Sequence, residues 1–380
     1  MVAYTNYKTD ARVMREAITA FEGGYSVDFI SLKRNNELKR ENINGINLYR
    51  LNQERYRGNN NIKYLLAYFE FLIRCFFKIN FLLLSKWYSI IHLNNLPDFI
   101  VFCAIIPKLF GAKIILDIHD PMPNLYITKK NNSKNSLIHK LIIWQQKVSA
   151  GFSNVIVTVT EPVKTFLIKD GISPQKIYVV ANFADEQIFS LNNNYSIDGK
   201  LKLLFHGTIA ERYGIKNILF ALSKLKNRDV FFKIIGEGDY SKQIKQLIVE
   251  LNLEDVVVFD NNFYNVSELV SKINGYNLGI VCMEDLPSTD YALSVKMLEY
   301  FLIGMPVLTI NNSAVKYYLD GKGCFFYNPK NVDSIVQSLL MIMNNREYLL
   351  IKRKEIIEIR SNYFWGNEKK KYLQIIKSLE

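Results

Sequence analysis

Short runs of β-branched and aromatic residues alternate with longer stretches of helical periodicity, and the alternation passes through the chain twice. Parallel strands need crossover connections, usually helices, so the pattern constrains the chain to an α/β fold with largely parallel sheets. In the first series the spacing predicts strands at 2–4, 27–30, 47–51, 90–93, 113–117, 155–160 and 177–180. Helices are expected at 13–21, 62–85, 99–110, 136–150 and 161–169. A polar stretch at 192–200 interrupts the series as a linker would. A second series predicts strands at 201–206, 230–236, 256–259, 278–281, 307–310 and 324–327. Its helices are expected at 214–225, 241–251, 266–273, 294–303, 313–319 and 332–343. Residues 346–379 read as one or two amphipathic helices. A chain of 380 residues exceeds one ordinary core. The expected division is 1–190, 191–345 and a helical tail, 346–380.

Open parallel sheets bind ligands outside the carboxyl ends of their strands, where helix N-termini present N–H groups. Motifs that follow strands therefore carry the most weight. The sharpest runs from Ala292 to Tyr300 and continues through Gly304 and Pro306. Ser294 is a good N-cap, Val295 opens the helix and Lys296 falls in its first turn. A helix start combined with a lysine suits a diphosphate. Glu299, a turn or more further on, could accept two hydrogen bonds from vicinal ribose hydroxyls. Any one of these residues also fits an ordinary capped helix. Their combination, with Gly304 and Pro306 ending the helix before a strand, favours a site.

A second motif runs from Phe205 to Gly214. Gly207 and Thr208 follow a strand, Gly207 lets a ligand approach the backbone, and Arg212 offers a planar fork to phosphate oxygens. Third, Gly236-Glu237-Gly238 ends a strand, and Phe263-Tyr264 follows the next one. Fourth, Asp117-Ile118-His119-Asp120-Pro121 ends a strand in the first half. A histidine there, beside Asp120, can donate or relay protons. His92 and His139 have no partner motif and are expected to be structural; for His206 both readings stay open.

The helix motif resembles the donor site of GT-B glycosyltransferases of family 4, in which the glutamate of a K-x-x-E-Y element binds the donor ribose. Lys296, Glu299 and Tyr300 occupy that pattern; Tyr291 stands where an earlier family glutamate often touches the donor sugar. The Phe205–Gly214 stretch resembles the family's H-G-T-x-x-E-R-x-G form, which implies that Arg212 neutralises the donor diphosphate with Lys296. By the same resemblance Gly236 and Glu237 lie beside the nucleotide base, Tyr264 reads its edge, and His119 faces the donor sugar with Asp120 beside it. Asp10-Ala11-Arg12-Val13 with Glu16-Ala17 is similar to the family's opening, and Asn182 to Asp185 to its interdomain N-x-x-D. Phe364-Trp365 is similar to the tryptophan at which the tail crosses back to the first domain. The fold implied is two Rossmann-like domains facing each other across a cleft.

The resemblance implies a retaining enzyme that moves a sugar from a UDP- or GDP-linked donor to a hydroxyl acceptor. The acceptor expected is a saccharide or lipid-linked intermediate of bacterial surface polysaccharide, such as capsule, O-antigen or exopolysaccharide. Retention needs no covalent intermediate if the leaving diphosphate helps deprotonate the acceptor and cations stabilise it. No DxD-type motif ends a strand, so metal independence and no cofactor beyond the donor are expected. A nucleotide-sugar 2-epimerase on the same scaffold is the rival enzyme. A non-enzymatic basic binding protein is the other alternative.

Composition bounds the setting. The net charge is +12, yet no zinc-finger spacing or RNP-like aromatic motif supports nucleic acid. Basic residues instead flank apolar helices in the first half, at Lys63, Arg74, Lys78, Lys86, Lys108, Lys129, Lys130, Lys134 and Lys140. That favours an anionic membrane surface. The most apolar stretch, 64–84, is broken by Glu70, Arg74 and Lys78, which argues against a span. Met1 to Asp10 carry no apolar signal region, and four single cysteines suit a reducing compartment. The expected location is cytoplasmic, peripheral on the inner face of the plasma membrane.

Overall fold

The computed structural model describes residues 1–34, 36–56, 58, 60–130, 136–225 and 229–380; Lys134 of the basic set lies outside them. The chain forms two compact units, Met1–Asn182 with Glu368–Glu380, and Phe183–Asn367. The divisions fall at 182/183 and 367/368, where 190/191 and 345/346 had been expected.

The N-terminal unit holds one eight-stranded sheet. Its strands are β1 (Val2–Ala3), β2 (Asp28–Leu32), β3 (Arg40–Ile43), β4 (Ile46–Leu51), β5 (Ile90–Asn94), β6 (Lys113–Ile118), β7 (Val155–Thr158) and β8 (Ile177–Val179). Their order is β3-β4-β2-β1-β5-β6-β7-β8. Every pairing is parallel except β3 with β4. Strand β3 is not among the predicted elements. Its sequence, Arg40-Glu41-Asn42-Ile43, is too polar to read as a buried strand, and it sits at the sheet edge. The turn that makes it is Asn44-Gly45, with φ of 50° and 84°, the two-residue hairpin signal.

Two helical expectations are corrected. Residues 99–110 form a 3-10 segment, Asp98–Ala104, followed by a short helix, Ile105–Leu109. An unexpected helix spans Met122–Lys130 after β6. The tail forms two helices, Glu347–Ile359 in the C-terminal unit and Trp365–Lys377, which continues into the N-terminal one. Glu368 accepts the Ala181 amide at 2.7 Å, and Tyr372 is buried against His92.

The C-terminal unit holds six parallel strands: β9 (Leu201–His206), β10 (Val230–Ile235), β11 (Val257–Asp260), β12 (Leu278–Val281), β13 (Val307–Thr309) and β14 (Cys324–Phe326). Their order, β11-β10-β9-β12-β13-β14, is the doubly wound arrangement, with its switch point between β9 and β12. Register levels the strand ends: His206 pairs with Ile235, and Ile235 with Asp260. The loops after three neighbouring strands therefore start side by side.

The helix Val295–Leu302 packs on this sheet through Met297, Leu298, Tyr300, Phe301 and Leu302, all buried. The Tyr300 ring lies against Gly279 so closely that a Cβ there would overlap it. Substituting Gly279→Ala should destabilise the fold by about 1–3 kcal/mol through overpacking. Urea unfolding checks this; an unchanged midpoint would show that the helix is not seated on β12 as described.

Candidate functional site

Two glycine loops build the floor of the site. The Gly207 amide donates to the Ile235 carbonyl at 2.9 Å, and the Ile209 amide to the Glu237 carbonyl at 3.0 Å. A Cβ on Gly236 would overlap the Gly207 carbonyl, and one on Gly238 the Ile209 carbonyl. Gly207 and Gly236 also hold φ of 115° and 140°, values that L side chains rarely adopt. Only glycine lets these backbones stack.

Lys296 reaches over this floor. Its Nζ lies 3.4 Å from the position a Cβ on Gly207 would take. It sits 3.8 Å from the Phe205 ring centroid and 4.6 Å from that of Tyr213. Burial pushes its pKa below the usual value; the Tyr213, Cys282 and Glu299 side chains oppose that push and Arg212 adds to it. The Arg212 guanidinium lies 5.1 Å from the same Tyr213 ring, so one aromatic side chain gathers both cations. Ser294 takes the N-cap position with extended backbone, but its hydroxyl makes no capping hydrogen bond. That corrects the expected cap. The first turn instead closes on the Ser294 carbonyl, which accepts the Met297 amide at 3.1 Å, and Val295 is half-buried.

Glu299 Oε2 lies 3.2 Å from His206 Nε2. Burial, followed by the field of Lys296, pushes His206 down to about 3, so a neutral imidazole meets the carboxylate. The Tyr300 hydroxyl accepts the His206 amide at 3.2 Å and donates to the Leu204 carbonyl at 3.1 Å. These bonds fix the end of β9 relative to the Glu299 helix. His206, left open between two readings, and Tyr213, not singled out, thus belong to the site. The signal for His206 was its place at the end of a strand; for Tyr213 it was adjacency to Arg212.

Around this centre, Thr208 and Glu237 are exposed. Tyr264 donates its hydroxyl to both Asp260 carboxylate oxygens, at 3.0 and 3.1 Å, and the Asp260 carbonyl accepts the Gly236 amide at 3.0 Å. Gly207, Arg212, Gly236, Tyr264, Lys296 and Glu299 are therefore brought to the carboxyl ends of adjacent strands in one unit. The loop leading to the helix is pinned by Asn312, whose amide donates to the Thr289 and Ala292 carbonyls.

His119 and Asp120 belong to the N-terminal unit; His119 ends a buried network, while Asp120 is exposed. Arg12 donates to both Asp117 oxygens at 2.6 and 2.9 Å and to the Val180 carbonyl at 3.0 Å, and lies 3.1 Å from Glu16. Asn94 can donate to Glu16 and Asp117 as well. Burial alone would raise Asp117, but Arg12 holds it well below the usual carboxylate range. Burial outweighs Arg12 at Glu16 and raises that carboxyl to about 8. His119 Nδ1 lies 3.7 Å from Asp117; burial would lower its pKa, but the carboxylate reverses that and raises it to about 9. Among the described residues, Glu16, His92 and Asp117 approach closely enough to share a metal ion. The Arg12 guanidinium already supplies a cation to both carboxylates of that set.

Comparisons with known proteins match both units. A family profile described as glycosyltransferase family 4 covers residues 12–188, and one described as glycosyl transferases group 1 covers 188–360. An Escherichia coli K12 protein assigned as a glycosyl transferase of colanic acid biosynthesis, WcaI, is 22% identical over 282 residues, spanning 65% of this chain and 67% of its own. Sucrose-phosphate synthase from Thermosynechococcus elongatus superimposes with a TM-score of 0.78 at 14% identity, covering 100% of this chain and 98% of its own. Anabaena HepE, solved with UDP and glucose, gives 0.70 at 12% identity, covering 99% and 98%.

The raised groups predict how stability depends on pH. His119 holds its proton more tightly in the fold, so its contribution is complete below its usual 6.5 and is lost as pH rises through about 9. Glu16 acts in the same direction, losing its contribution between its usual 4.5 and about 8. The melting temperature should fall between pH 6.5 and 9, and His119→Gln should flatten the upper part of that fall. Calorimetry across this range checks it; a midpoint that rises with pH would contradict the network.

Proposed function

The chain belongs to the group 1 glycosyltransferases of family 4, with the GT-B fold, and from that premise we propose that it transfers a sugar from a nucleotide donor with retention of anomeric configuration. The observation that carries the donor reading is the convergence of Lys296 and Arg212 on Tyr213, above stacked glycine loops, at the switch point of a parallel sheet. Two cations beside a helix start stabilise a leaving diphosphate as its charge develops. Glu299, 3.2 Å from a neutral His206, presents a carboxylate for ribose hydroxyls. Tyr264 and the Gly236 loop border the space for the base. The base is left as uridine or guanosine; HepE, of the same fold, was solved with UDP.

The acceptor on this reading is a hydroxyl of a saccharide or lipid-linked intermediate of surface polysaccharide, which the likeness to WcaI supports. The diphosphate cations are side chains, so the reaction is proposed to run without a metal ion. The epimerase alternative needs carboxylates available for proton transfer. Asp117, buried in the N-terminal unit, is instead engaged by Arg12 through both carboxylate oxygens.

Three measurements test the reading. Saturating UDP, at about 100 times its Kd, should stabilise the fold by about 2.7 kcal/mol. Lys296→Met and Glu299→Gln should each cut transfer by about 10²-fold or more while the melting temperature holds. A chelator should leave transfer intact. Full activity in Glu299→Gln would remove the ribose assignment, and loss of activity in chelator would remove the metal-free mechanism.

A further inference from the structure

The helix Asn61–Leu83 of the N-terminal unit has two apolar faces. Phe71, Cys75, Ile79 and Leu82 recur at helical spacing and are buried. Ile62, Leu66, Phe69, Ile73, Phe77 and Phe81 form a second stripe on the opposite side, and all are exposed. Phe77 is 66% exposed and Leu84, at the end of the stripe, 84%. A soluble helix ordinarily turns polar residues to this side.

Two more elements continue the exposed apolar surface. The helix Leu137–Phe152 carries a stripe of Leu137, Leu141, Trp144 and Val148, with Trp144 63% exposed. Between the two helices lies the segment Asp98–Ala104: Phe99 meets Phe69 at 5.3 Å, and Phe102 meets Phe152 at 5.2 Å. Leu109 and Phe110, just after it, are 80% and 64% exposed, and Phe110 meets the exposed Trp87 at 5.6 Å. Contiguous apolar surface of this kind marks an interaction site.

Charge identifies the occupant. Residues 61–152 hold eleven Lys and Arg against four Asp and Glu, a net +7 within a chain of net +12. Of the four acids, Asp98 and Asp117 are buried, and Glu70 pairs with Arg74 at 2.8 Å. Lys63, Arg74 and Lys78 fall along one border of the first stripe by helical position, and Lys140 and Lys147 border the second. A second copy of the chain would set these cations against one another. A nucleic acid would leave the leucines and phenylalanines in water. Among the described residues, no helix is long and apolar enough to cross a membrane. An apolar stripe bordered by lysines is the form of a helix lying in a bilayer interface, with acyl chains taking the stripe and anionic headgroups the lysines.

We propose that the helices Asn61–Leu83 and Leu137–Phe152, with the Leu109–Phe110 corner between them, insert shallowly into an anionic lipid surface. The two tryptophans on this face sit where such a residue bridges headgroups and acyl chains. The third, Trp365, is buried in the C-terminal unit. This inference does not depend on the donor site, and its test reads no activity.

The test is co-sedimentation of the full chain with vesicles of phosphatidylglycerol and phosphatidylcholine, beside vesicles of phosphatidylcholine alone. Binding is expected to the anionic vesicles, with a blue shift of tryptophan emission that Trp87→Phe/Trp144→Phe removes. The double variant Phe77→Glu/Phe81→Glu, and independently Trp144→Glu, should weaken binding by about tenfold or more while the melting temperature holds. The proposal is overturned if the chain stays in the supernatant, or if these folded variants bind as the unaltered chain does. It is equally overturned if sedimentation velocity shows a dimer that the same substitutions dissociate, because the face then belongs to a second copy.

Discussion

The close approach of two backbones, Gly207 after β9 and Gly236 after β10, sets the geometry of the C-terminal unit's site. A Cβ on Gly236 would overlap the Gly207 carbonyl, and both glycines hold positive φ. Because His206 and Ile235 are paired in register, the two loops leave the sheet at one level and stack through amide–carbonyl bonds. Lys296 lies over Gly207, in contact with the position a Cβ there would take. From there the lysine meets Phe205 and Tyr213, Tyr213 draws in Arg212, and the site gains its positive charge. On the other side of β9, Tyr300 fills the space left by Gly279 and ties the Glu299 helix to the strand carrying His206. The site thus follows from where glycine occurs at strand ends and within β12.

The N-terminal unit depends on a different constraint. A buried guanidinium, Arg12, is satisfied by Asp117 of β6, by Glu16 one helical turn away and by the Val180 carbonyl beyond β8. Two separate sequence motifs, the opening Asp10–Ala17 and the Asp117–Asp120 strand end, are the two halves of this one network. Removing one partner of such a buried pair leaves an uncompensated charge, which costs more than the pair contributes. His119 acquires its positive charge from the same source, since the Asp117 carboxylate is what raises it.

Much of this was legible in the sequence, for physical reasons. Buried parallel strands are apolar on both faces, so all strands but one stood out as β-branched runs. The exception, β3, is an edge strand whose polar residues carry no burial signal; only Asn44-Gly45 announces it. The helix at Met122–Lys130 was missed because Met122-Pro123-Asn124 reads as a turn and its apolar positions keep no helical stripe. In the site, glycine and charged residues at strand ends were legible because their chemistry is local. Tyr213 and His206 were not, because their roles come from packing: Tyr213 matters through the two cations its ring gathers, and His206 through register with β10. Ser294 shows the reverse case, a residue with high capping propensity whose hydroxyl does not cap. The unit boundary was displaced because the polar stretch 192–200 resembles a linker while packing on the C-terminal unit, where Tyr195 donates to the Asn277 carbonyl.

The central claim is that the carboxyl ends of β9, β10 and β12 hold a nucleoside diphosphate. Hydrogen–deuterium exchange of the full chain, with and without saturating UDP or GDP, tests it most directly. The account predicts slowed exchange in 205–214, 236–240 and 294–300, because these backbones line the site. Protection confined to 1–182, or protection nowhere at saturating nucleotide, would contradict it.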